Sequence, residues 1–149
     1  MPANTDPIFT RVGAKGSVLI TAANTSSQGG GTIGTDIFLA FTGDATNFSF
    51  IQRVRFIPTA TAPTTTTATV GRVFLSTVAS GATTSANTWF WQDVGLPALA
   101  ADNATAGATF FDIPFGFALP TGVQTILVTN HAAPAVNSAW RAIVIAGDY

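Results

Sequence analysis

Apolar residues in this chain recur at every second position and scarcely ever at the spacing of a helix, and no other feature constrains the fold as much. Glutamate is absent and lysine and methionine occur once each, while threonine, valine, isoleucine and phenylalanine are plentiful. β-Branched and aromatic side chains suit a pleated, half-buried surface. The alternation predicts eight strands: Ser17–Ala22, Thr35–Thr42, Phe48–Ile57, Ala68–Val78, Thr88–Val94, Thr109–Phe117, Val123–Asn130 and Ala139–Gly147. Strict alternation in the second puts Ile37, Leu39 and Phe41 on one face. In the third it sets Phe48, Phe50, Val54 and Phe56 against Ile51, Arg53, Arg55 and Ile57. Turn-forming clusters separate these runs: Gly29-Gly30-Gly31, Thr42-Gly43-Asp44, Ser80-Gly81-Ala82 and Leu119-Pro120-Thr121-Gly122. Pro58 to Thr67, with four consecutive threonines, reads as a loop tip. Leu96 to Ala106 is alanine-rich, and one helical turn is expected there. Eight short strands at this spacing predict an all-β, single-domain β-sandwich of jelly-roll-like form over residues 15–149. Residues 1–14 read as an extended N-terminal arm.

A chain of 149 residues fits one domain with a core of its own. Its charged fraction is 9%, against about 25% in an ordinary soluble domain. Without cysteine it has no disulfide, thiolate metal site or cysteine nucleophile. Six Lys+Arg against seven Asp argue against a strong basic face and so against a nucleic-acid partner. The mean hydropathy of +0.40 does not come from a spanning helix: apolar runs such as Ile37–Phe41 and Ile143–Ala146 are far shorter than the ~20 residues required. The opening residues have neither the basic nor the apolar region of a secretory signal, so none is expected, and with no spanning helix no membrane partner is expected either. Charge repulsion ordinarily keeps monomers apart. So little of it suits a chain packed against copies of itself or against a larger surface.

No catalytic group is expected. His131 stands alone in a loop, and no Gly-X-Ser-X-Gly elbow occurs. The aspartates are scattered at strand ends, where local backbone hydrogen bonding explains them. No cofactor or metal ligand is named, and Gly29 to Gly34 lacks the lysine and following helix of a phosphate loop. Two features suit contact. Trp89-Phe90-Trp91 alternates, so both tryptophans share a face: core, a subunit contact or a sugar platform. Arg53 and Arg55 lie two apart on one strand face, which suits either pairing with a carboxylate on a neighbour or a solvated sheet. In the arm, Ile8 and Phe9 are each worth roughly 1.5–3 kcal/mol if buried on docking.

The opening Pro2-Ala3-Asn4-Thr5-Asp6-Pro7-Ile8-Phe9 and closing Ala146-Gly147-Asp148-Tyr149 resemble those of small virion proteins of tailed bacteriophages. Arg53-Val54-Arg55-Phe56-Ile57-Pro58, Arg72-Val73-Phe74-Leu75 and Leu119-Pro120-Thr121-Gly122 are similar to segments of the same small phage β-domains, in the same order. The resemblance implies a head decoration, or cement, protein. Such a protein is a non-enzymatic β-domain made in the host cytoplasm. It is carried on the virion head, where it bridges neighbouring copies of the major capsid protein, often as a homotrimer. The resemblance brings no catalytic residues with it. The contact residues expected from the sequence are Ile8, Phe9, Arg53, Arg55, Trp89 and Trp91. A carbohydrate- or receptor-binding tail or fibre module built on the two tryptophans is the alternative.

Overall fold

The computed structural model describes residues 12–46, 48–101, 109–119 and 124–148. Its strands are β1 (Val12–Ile20), β2 (Gly31–Thr32), β3 (Phe38–Thr42), β4 (Ser49–Ala60), β5 (Thr64–Thr65), β6 (Thr69–Ser76), β7 (Ala82–Thr83), β8 (Thr88–Leu96), β9 (Ala100–Ala101), β10 (Phe111–Leu119), β11 (Thr125–Asn130) and β12 (Ser138–Asp148). Eight long strands make two four-stranded sheets, ordered β1-β12-β4-β10 and β3-β11-β6-β8. The short strands form two ribbons, β2-β7 and β5-β9.

The pairings are nested. The first long strand pairs with the last, β1 with β12; then β3 pairs with β11, β4 with β10, and β6 with β8, all antiparallel. The chain is thus one long hairpin rolled up, with successive strand pairs falling alternately in the two sheets. The remaining pairings, β12 with β4 and β11 with β6, close the roll. This is the jelly-roll arrangement, two antiparallel sheets face to face.

Between the sheets lies the main core, which includes Ile51, Val54 and Phe56 of β4, Val73 of β6, Ile126 and Val128 of β11, and Trp140, Ala142 and Val144 of β12. A second, smaller cluster of Ile37, Phe74 and Leu127 lies on the far side of the β3-β11-β6-β8 sheet, with Ile33 and Leu39 packed on it. All six residues of β11 are therefore buried. That is why Thr-Ile-Leu-Val-Thr-Asn reads as a nearly continuous run rather than an alternation.

The two lateral margins of the sandwich close differently. At one, β1 meets β3, and Gly16 sits so tightly on the Ala40 carbonyl that a Cβ would overlap it. At the other, β8 meets β10 through aromatic rings, Trp91 stacked on Phe115 and tilted against Phe117.

Several local expectations are corrected. The pairing register shifts in β4 between Ile51 and Arg53, leaving Gln52 as an extra residue, so Ile51 turns into the core and does not flank the arginines. A second shift, at Ala40, puts Phe41 in the main core while Leu39 and Ile37 stay with the outer cluster. Pro58 does not begin a loop: β4 runs on to Ala60, and Pro58 pairs with Trp140 beyond the end of β10, where among the described residues β4 has a strand neighbour on one side only. The expected helical turn after Leu96 is coil followed by β9, which pairs with β5; residues 102–108 lie outside the described residues. Residues 12–14 of the expected arm are strand, and the rest of it, Ile8 and Phe9 included, lies outside the described residues.

Candidate interaction surfaces

Arg53 and Arg55 lie on the outer face of the β1-β12-β4-β10 sheet, together as their spacing predicts. Their carboxylate comes from the same chain. Asp112 of β10 is the cross-strand partner of Arg55. Arg55 donates to it twice, Nε to Oδ1 at 2.7 Å and Nη2 to Oδ2 at 2.8 Å. Arg53 Nη1 reaches Oδ2 at 3.3 Å. The two parallel bonds from Arg55 make a planar fork. They hold Asp112 below the ordinary carboxylate range and raise Arg55 above its ordinary value. For Asp112 the Arg55 hydrogen bond is the main cause, and the positive charges of Arg55 and Arg53 add to it against the opposing effect of burial. Phe110 lies under the Arg55 guanidinium, 3.7 Å from ring centroid to Cζ, so the cation is held by an ion pair at its edge and a π face below. Neither Asp112 nor Phe110 was identifiable from sequence, because nothing local relates them to positions more than fifty residues earlier.

Trp89, Phe90 and Trp91 stand on β8, an edge strand. Simple alternation predicts one face for the tryptophans and the other for Phe90. The register shifts instead between Val73–Phe74 of β6 and Gln92–Phe90 of β8, which leaves Trp91 unpaired with β6. All three side chains consequently remain open to solvent, at 47%, 48% and 39% exposure, and neither tryptophan is core. Phe90 meets Phe74 edge-on at 5.9 Å. Trp91 stacks on Phe115, whose own ring lies on Phe117, so three rings continue from β8 onto β10. Phe115 and Phe117 fall at a second irregularity, where Gly116 has φ +69°. Glycine takes that left-handed conformation without a Cβ clash.

Another group of polar side chains holds loops. Arginine can only donate, so Arg72 Nη2 donates to His131 Nδ1 at 3.2 Å and fixes that nitrogen as an acceptor. Arg72 Nη1 also donates to the Asn24 carbonyl at 3.3 Å. Asn24 Nδ2 donates to the Gly30 carbonyl and to Asp36 Oδ2, and Asp36 Oδ1 accepts from the Thr32 amide. The glycine segment is thus pinned by its own neighbours. Among the described residues no three His, Cys, Asp or Glu side chains converge on a point where a metal would sit. No described helix is long and apolar enough to cross a membrane. No family model, curated protein or solved structure matches the chain.

Proposed function

We propose that the chain is a non-enzymatic structural protein of a phage virion, which decorates the head and stabilises it by bridging major capsid subunits, as a homotrimer. The observation that carries this reading is the aromatic run on β8: three consecutive large rings exposed on an edge strand of a rigid sandwich. Tryptophan and phenylalanine in that setting gain most by being covered, and tryptophan is a frequent anchor of protein contacts. The jelly roll itself is compatible with many functions and does not choose among them. Immunogold labelling of purified virions tests the proposal. Label over heads that disappears with Trp89→Ala and Phe90→Ala is the expected result; label confined to tails, or none, overturns it.

Carbohydrate binding is the second reading, favoured by Trp89, which has no ring partner among the described residues and offers an open platform. A saturable change in tryptophan fluorescence on titration with host polysaccharide would select it over decoration.

A further inference from the structure

The low charge of the chain conceals a segregation of charge. The described cations are Lys15, Arg53, Arg55, Arg72 and Arg141, and all but Arg72 belong to the outer face of one sheet. Strand register assembles them. Lys15 on β1 is level with Ile145 on β12 and Arg53 on β4. One step along, Ser17 is level with Ile143 and Arg55. One step further, Leu19 is level with Arg141 and Ile57. The only described carboxylate among them is Asp112, so the described residues of this face carry four cations against one anion, net +3, on a chain whose formal charge is −1. The other described aspartates lie elsewhere. Asp36 is in the loop before β3 and Asp44 in the loop after it, Asp93 is on β8, and Asp148 accepts from the buried Ser49 hydroxyl.

We propose that this face docks against an acidic, partly apolar protein surface. The inference deepens the reading of the chain as a protein that acts by contact, and rests on it. By this register the cations lie between about 7 Å apart (Arg53 and Arg55) and about 14 Å apart (Arg141 from Lys15 or Arg53), of the order of a Debye length of about 8 Å, so they act on an approaching partner as one positive patch that salt weakens. They are also short of acceptors. Among the described residues Arg53 Nε is buried without one, Arg141 Nη1 reaches only the Ser17 hydroxyl at 3.0 Å, and Asp112 is shared between two arginines. Isoleucine and leucine alternate with the charges, which suits a protein partner that offers carboxylates and apolar side chains together. A nucleic acid fits less well. Its phosphates would meet the Asp112 carboxylate, and its backbone has nothing to cover Ile143 and Ile145.

Fluorescence anisotropy on the full chain tests this with two labelled probes, a peptide alternating aspartate with leucine and a single-stranded oligodeoxynucleotide. The expected result is that the peptide binds and that its affinity falls about tenfold or more in Lys15→Glu/Arg141→Glu. Asp93→Lys, on the other sheet, leaves it unchanged. Should the reversed variant fail to fold, Lys15→Gln/Arg141→Gln removes the same charges with less repulsion. Tighter binding of the oligonucleotide, no binding of either probe, or an undiminished affinity in the variants overturns the proposal. So does self-association of the wild type that these substitutions abolish, since the occupant is then a second copy. The two readings fail separately. Heads still fully decorated by Lys15→Glu/Arg141→Glu remove this face and leave decoration standing; a chain absent from heads that binds the peptide here does the reverse.

Discussion

At Asp112 one carboxylate holds two arginines of the neighbouring strand, with Phe110 under one of them. Because its folded pKa is depressed, the contribution to stability is complete above the ordinary carboxylate range near about 3.9, and is lost as pH falls through the lower folded value. Asp112→Asn is therefore expected to lower the urea midpoint at neutral pH, and its deficit against wild type should shrink as the acid is titrated. A deficit that stays constant down to the acid limb would show that the charge is not its source. Gly16 is a second decisive position. Its backbone lies against the Ala40 carbonyl, so Gly16→Ala forces β1 away from β3. A loss of about 1–3 kcal/mol is expected in urea unfolding, with the m-value unchanged. Of these features, sequence shows only that Arg53 and Arg55 share a face. Gly16 resembles any strand glycine until the opposing sheet is in place, and Asp112 is 57 residues from Arg55.

For the strands, existence and approximate position were legible from alternation, and side-chain direction was not. The irregularities at Ala40, Gln52 and Trp91 each reverse the phase of a strand midway. A bulge is defined by two residues facing one on the partner strand, and at these three positions no glycine marks it within its own strand. Ile51 looked outward and Trp89 and Trp91 looked like a single face for that reason. The aromatic seam between β8 and β10 is an element-scale feature with its own test. Trp91→Ala removes the stack on Phe115 and Phe117 and should cost about 0.5–1.5 kcal/mol beyond the area it uncovers. The near-UV circular dichroism should fall with it, whereas Trp89→Ala, which breaks no ring contact among the described residues, should leave stability nearly unchanged.

Over the whole molecule, nested pairing makes nearly every strand contact non-local. β1 cannot find its place until β12 has been made, and only β6 and β8 are joined by a short connection. Loop closure therefore precedes most of the stabilising contacts, and refolding is expected in the millisecond-to-second range typical of all-β sandwiches. Stopped-flow tryptophan fluorescence measures this directly, and a microsecond phase carrying the full amplitude would contradict it.

The sequence by itself determined that the chain is all-β, approximately where its long strands lie, and that little charge is available. Each of these is a local property, carried by residue type and by spacing within a few positions. Tertiary structure alone decided the phase of each strand past its bulge, the carboxylate that Arg55 meets, and the gathering of four cations on one face of a nearly neutral chain. These depend on register between strands that in one pairing are more than a hundred residues apart, and register is settled by what packs across the sheet.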